Sequence, residues 1–268
     1  VSFGSRLWTL GDAVGLSLVV KATFKLLASP MAPTISESLY ATESFGDGGC
    51  VPPDLVPRRP HVDLIVVGTA AAPVVRFAVQ QADATVIDKS HQVALGAPSP
   101  FAAIPEAAPN RDALRGGVDV TGDVVRLPTH FDWGFYQAAP ADQRLATLYG
   151  DAAFLIAGMH ADHASIETQL PNAWVLGAVF GLHEAAPEMG VPLTFRPDTV
   201  CIDCDKLVCS VVWRAELGLQ RTEQAAALTV AAGVATSEHV ARVPTTLSDL
   251  ARSKRDEPST GGATTAAN

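Results

Sequence analysis

Cysteine is scarce in this sequence, four residues in 268. That argues against a secreted disulfide scaffold, which needs many cysteines at close spacing, and a reducing cytoplasm suits four free thiols best. Charge is sparse as well. Asp, Glu, Lys and Arg make up 18% of the residues, and 19 basic against 28 acidic side chains leave a formal charge of −9. A diffuse acidic surface repels phosphate backbones and anionic lipid. The nearest approaches to a basic cluster, Arg58-Arg59 and Arg252 to Arg255, do not alternate with aromatics, so nucleic acid is not an expected partner. No uninterrupted apolar run reaches the length of a spanning helix. The first residues, Val1 to Leu10, lack the basic flank and cleavage site of a signal peptide, and the sequence does not begin with Met. The expectation is a cytoplasmic protein with no membrane partner. Long amphipathic helical patterns and internal repeats are also missing.

What is abundant is short apolar segments divided by Gly and Pro. Apolar residues reach 48%, enough to fold most of the chain. Leu16 to Leu26 reads as a strand whose polar residues Lys21, Thr23 and Lys25 share one face. Ser44 to Pro60 reads as a loop. His61 to Gly68 is a strand with a nearly all-apolar end, which suggests burial on both faces, and Val74 to Val79 and Ala84 to Ile87 are its candidate partners. Ala94 to Asp123, full of Pro, Gly and Ala, reads as a long surface excursion.

Phe154 to Met159, Ser165 to Leu170 and Trp174 to His183 are further strand candidates. The best hairpin signal places Asp203-Cys204-Asp205-Lys206 between Thr199–Ile202 and Leu207–Trp213. Gln224 to Ala232 suits a short helix or a strand equally. The pattern as a whole predicts a mainly β protein, an antiparallel β-sandwich or barrel-like domain with minor helix and long loops. Residues 1–235 form a single β-rich domain in this reading. Residues 236–268 form a polar tail, expected to be mobile or to lie loosely on the surface because it has too few apolar side chains to offset ordering entropy.

Chemistry-bearing patterns are weak. Cys201, Cys204 and Cys209 invite a zinc site, but a second paired half-site is missing. On an extended strand Cys201 and Cys204 face opposite ways, and burial of Cys201 and Cys209 as small apolar residues is the simpler reading. His160-Ala-Asp-His163 has ligand-like spacing only on a helical turn or tight loop, and nothing brings His130 or His183 to it. The Gly46-Asp-Gly-Gly49 and Gly116-Gly117 pieces lack the context of a phosphate loop. Asp198, Asp203 and Asp205 lack calcium-loop spacing. No catalytic, cofactor or metal residue is assigned.

Aromatics are rare, 6% of the chain, yet Phe131, Trp133, Phe135 and Tyr136 fall within Phe131-Asp132-Trp133-Gly134-Phe135-Tyr136. Such a concentration is a core anchor or an exposed interaction patch, and the anchor is favoured. Trp133 is then expected to be largely buried, with Asp132 and Arg144 each partnered because an unpaired charge beside packed rings is costly.

The same block, running on through Gln137-Ala138-Ala139-Pro140-Ala141-Asp142-Gln143-Arg144, resembles the signature of domain-of-unknown-function family 2169. Leu193 to Thr199, Val212-Trp213-Arg214, Val20 to Phe24 and Arg59 to Gly68 are similar to its other strands, so the resemblance runs over roughly residues 1 to 220. The interval Ala94 to Asp123 lacks the family's Tyr-Gly-Gly element. The resemblance implies a type VI secretion-associated adaptor or chaperone that stabilises a secreted effector and helps load it onto a spike or PAAR-type protein. It implies no catalytic residue. Phe131, Asp132, Trp133, Phe135, Pro140, Asp142, Gln143 and Arg144 become the candidate structural or partner-binding residues. A rival reading from the residues is a metal-dependent hydrolase built on His160, His163 and nearby acids.

Overall fold

Alternation decides the architecture. In a computed structural model, which describes residues 1–105, 124–236 and 244–256, three long strands are β1 (Ser2–Leu10), β2 (Ala13–Lys25) and β16 (Val208–Leu219). They lie side by side in an eight-stranded sheet of order β10-β6-β15-β16-β2-β1-β9, with β3 (Ala32–Pro33) added to the end of β2. The remaining members are β6 (Val62–Val67), β9 (Val124–Leu127), β10 (Arg144–Leu145) and β15 (Arg196–Asp203). The expected hairpin is present as β15 and β16, closed by a turn in which Lys206 N donates to Asp203 Oδ1 at 2.9 Å.

Two smaller sheets stack on the large one. β7 (Val74–Gln81), β8 (Ala84–Gln92), β11 (Ala153–Ala157) and β12 (Ser165–Gln169) form one, in the order β12-β11-β7-β8. β13 (Ala173–Phe180), β14 (Val191–Thr194) and β17 (Thr229–Thr236) form the other, in the order β14-β13-β17. A two-stranded ribbon, β4 (Ser44–Gly46) and β5 (Gly49–Val51), completes the sheets. The core fills the space between layers. Leu18, Val20 and Phe24 of β2, Leu64 and Val66 of β6, and Val211 and Trp213 of β16 meet Val75, Phe77 and Val79 of β7 and Phe154 and Ile156 of β11. The protein is thus mostly β and sandwich-like, and among the described residues no sheet closes into a barrel.

Several local expectations change. Val74–Val79 and Ala84–Ile87 do pair, but with each other and not with β6. β6 instead lies parallel to β15, and β1 parallel to β9, so the large sheet is mixed. Ser44–Pro60 holds the β4–β5 ribbon. Within the expected surface excursion Phe101 is fully buried, and the remainder, 106–123, lies outside the described residues. Leu228 separates a 3-10 turn, Thr222–Ala227, from β17, so the ambiguous segment contains both kinds of structure. The tail expectation falls partly outside the described residues. Within them, Gly190 N donates to Thr245 O at 2.9 Å and Leu247 N to Glu188 O at 3.1 Å. Helix α1 (Leu247–Asp256) follows, capped by Thr246, whose Oγ1 accepts from Asp249 N at 3.1 Å.

The large sheet buries its second face as well. Register brings Ser17, Val19, Lys21 and Thr23 of β2 beside Glu216, Arg214, Val212 and Ser210 of β16. Thr199 and Cys201 of β15, then Asp63 and Ile65 of β6, continue the rows. This face carries ions, and the 34–60 loop and the 131–144 segment cover it. At one end Trp8 lies flat over Gly15, where a Cβ would come within 2.1 Å of the indole, and Trp8 Nε1 donates to Ser17 Oγ and to Glu216 Oε2, both at 3.1 Å.

Candidate functional site

The covered face of the large sheet concentrates buried ions. Lys21, 2% exposed, sends its ammonium to Asp54 Oδ2 at 3.1 Å and lies 3.7 Å from Glu37 and 4.4 Å from the centre of the Tyr40 ring. A bulge between Pro197 and Thr199 turns Asp198 toward Arg214, and the two form a buried pair. Asp198 Oδ2 also accepts from Arg59 N at 3.2 Å, while Arg59 Nη2 donates to Pro53 O at 3.0 Å. Asp63 accepts from Gln137 Nε2 and from Ala138 N at 2.6 Å each, and Arg59 Nε stands 3.6 Å away.

Burial raises the Asp63 carboxyl, opposed by Arg59, the backbone N–H groups of Ala138 and Ala139, and Arg144. Burial likewise lowers the Arg214 guanidinium, opposed chiefly by Asp198. For Glu37 burial pushes upward, but Lys21 and hydrogen bonds from Lys206 and Ser210 prevail and hold it below the usual glutamate value. Every one of these ions faces a counter-ion, and the cavity beside Lys21 measures only about 20 Å³, too small for a substrate. The arrangement ties loops to the sheet.

The candidate residues between Phe131 and Arg144 sit over this face. Asp132 is exposed and caps a 3-10 turn (Trp133–Tyr136), accepting from Gly134 N at 2.8 Å. Phe135 and Tyr136 are buried. Trp133 differs from expectation: it is half-buried, its ring edge-on to Trp8 at 5.3 Å and to Phe131 at 5.4 Å. The reason is position, since the turn rides on the rim of the sheet over Trp8 instead of plugging its interior. Pro140 precedes a second 3-10 turn (Ala141–Gln143) and accepts from Gln143 N at 2.8 Å. Gln143 is fully buried and donates through Nε2 to Leu64 O at 2.9 Å and Phe101 O at 3.0 Å. Lys89 joins Asp142 at 2.8 Å and Gln143 at 3.0 Å. Arg144 does not meet Asp132. Its Nε donates to Ala139 O at 2.8 Å and lies 3.9 Å from Asp63.

The cysteines separate by face. Cys204 and Cys209 are fully buried in the main core, whereas Cys201 packs on the opposite face beside Ile65 and Val67. Cys201 departs from expectation in being only half-buried as a residue, although burial of its thiol pushes the pKa up to about 12. His160 and His163 do come together, with ring centres 4.9 Å apart. His160 Nδ1, however, accepts from Asp162 N at 3.1 Å. Among the described residues no group of three His, Cys, Asp or Glu side chains is disposed to hold a cation.

An aromatic cleft of about 230 Å³ lies at the boundary of the sheets; a larger, more polar hollow of about 480 Å³ opens over β7, β11 and β12, where Arg76, Gln80, Glu167 and Gln169 line it. Phe24 and Trp213, 1% and 3% exposed, form part of the floor of the aromatic cleft with Phe195 and Pro197. Tyr149 and Trp174, 49% and 37% exposed, stand at its mouth. Drug-sized ligands and cofactors occupy roughly 300–1,000 Å³. This cleft suits one bulky apolar side chain. Sequence reasoning missed it because its residues come from five separated stretches.

The scaffold is mostly β and carries a small aromatic cleft beside a covered ionic face. The family described as "Uncharacterized protein conserved in bacteria (DUF2169)" matches residues 78–214, just over half of the chain. The chain belongs to that family. No curated protein and no solved structure matches it. No helix among the described residues is long and apolar enough to cross a membrane.

Proposed function

We propose that this protein is a cytoplasmic adaptor or chaperone that stabilises a type VI secretion effector and helps load it onto the secretion spike. The supporting observation is the aromatic cleft. Tyr149 and Trp174 leave apolar surface at a mouth that opens on an aromatic floor, and aromatic anchors in such pockets carry a large share of binding energy between proteins. The family resemblance supplies the kind of partner: a secreted effector, or a spike or PAAR-type protein. The acidic surface disfavours nucleic acid.

The test is co-expression with effector and spike candidates, comparing the wild type with Trp174→Ala and Tyr149→Ala. The expected result is co-purification that the substitutions abolish while the melting temperature holds within a few degrees. No co-purification of any candidate with the wild type, or binding that both variants retain, overturns the reading. The metal-dependent hydrolase predicts instead stoichiometric zinc in protein purified without chelator.

A further inference from the structure

We propose that β17 is an edge through which two copies of this chain pair antiparallel, joining their three-stranded sheets into one continuous sheet. Among the described residues β17 is bonded on one side, to β13, over Thr229–Thr236. Its sequence, Thr-Val-Ala-Ala-Gly-Val-Ala-Thr, contains no charge and no proline. The other edges of the three larger sheets are all marked. β8 carries Asp88 and Lys89, β12 Glu167, β9 Arg126, β10 Arg144, and β14 Pro192. Charges and prolines of this kind are how edges avoid pairing with another strand. β17 alone among these lacks them and runs for eight residues.

Charge favours a second copy meeting here. A chain of formal charge −9 repels its like over most of its surface, and β17 offers a neutral strip. The order of residues is also self-complementary. A two-fold axis normal to the sheet pairs residues on the same face. With the axis at Ala232, Val230 of each copy lies opposite Val234 of the other, Ala231 opposite Gly233, and Thr229 opposite Ala235. No bulky side chain meets another, and the two Val–Val pairs are favourable cross-strand contacts. Val230, Ala232 and Val234 pack against the main core and are half-buried in the single chain. In this register they cover one another, and the apolar layer continues across the axis.

The experiment is light scattering of the full chain after size exclusion, with Ala231→Lys and Ala231→Glu variants. Ala231 is half-buried on the face of β17 opposite Val230, Ala232 and Val234, so melting curves first establish that each variant keeps the fold, and a variant that does not is replaced by Gly233→Lys or Gly233→Glu. The expected result is a wild type of twice 28.0 kDa, each variant alone at the single-chain mass, and an equimolar mixture of the two back at the double mass. A wild type that stays at the single-chain mass at its highest soluble concentration overturns the proposal. So do variants that remain double. A single-chain wild type whose Ala231→Lys variant loses a co-purifying effector reassigns this edge to a strand of the effector and equally overturns pairing between copies.

Discussion

Replacing Asp63 by Asn tests whether one carboxylate holds the 131–144 segment to the large sheet. Asp63 is fully buried, and its two oxygens accept from Gln137 Nε2 and Ala138 N at 2.6 Å each. An amide of the same shape has a single acceptor. It satisfies one of those donors and turns its own NH₂ toward the other. Arg59, 3% exposed, also loses its 3.6 Å counter-charge. Removing one partner of a buried pair costs about 3–5 kcal/mol. An orphaned buried donor costs about 1–3 kcal/mol, and because the two losses share a site they overlap rather than add. The expected destabilisation is therefore about 3–5 kcal/mol. In a chain of this size each kcal/mol moves the melting temperature by roughly 2–4 °C, so the midpoint should fall by roughly 6–20 °C. Urea and thermal melts followed by circular dichroism supply the measurement. Asp88→Asn is the control, since its 2.8 Å pair with Arg76 is solvent-exposed and should leave the midpoint nearly unchanged. Equal shifts for the two substitutions would refute the reasoning.

Glu37 supplies a pH test. Its folded pKa is held low, so its contribution is present above the unfolded value of about 4.3 and disappears as pH falls through the folded one. The stability advantage of the wild type over Glu37→Gln should stay level from neutrality to about pH 5, then shrink on further acidification; an advantage that grows in acid contradicts the assignment. The thiols give another. Burial raises Cys204 and Cys209 strongly and Cys201 to about 12, so alkylation at mild alkaline pH should be slow in the native protein and fast in denaturant. Rapid native labelling of these residues would show that the core around them is open.

Much of the fold was legible because apolar β-rich runs and turn chemistry coincide. The β15–β16 hairpin and the doubly buried β6 follow from local pattern alone. Partners were less legible. Val74–Val79 and Ala84–Ile87 read as strands, but a short apolar run does not say which sheet it joins, since pairing is set by long-range register and burial. Phe101 escaped notice because its Pro- and Ala-rich surroundings resemble loop. The ionic face was hidden for a different reason. Lys21 and Thr23 at alternate positions look like a solvent-facing stripe, and only the covering loop, with Glu37 and Asp54, makes them buried.

The segments that carried the family resemblance acquire a physical meaning from this arrangement. Arg59 and Asp63, Asp198 and Arg214, and Gln137, Gln143 and Arg144 all lie in them, and all belong to the ionic and amide network under the loops. A buried ion tolerates few substitutes, because each partner depends on the geometry of the next, so such residues stand out as a fixed order in the sequence. The aromatic cleft divides along the same line. Its floor residues Phe24, Phe195, Pro197 and Trp213 fall in those segments, while the exposed Tyr149 and Trp174 at its mouth fall outside them. Substitutions at the floor should therefore change stability first, since they disturb core packing. Substitutions at the mouth should change which side chain is accepted while the scaffold stands. In the proposed adaptor, the two ends of a single cleft would then divide stability from the choice of cargo.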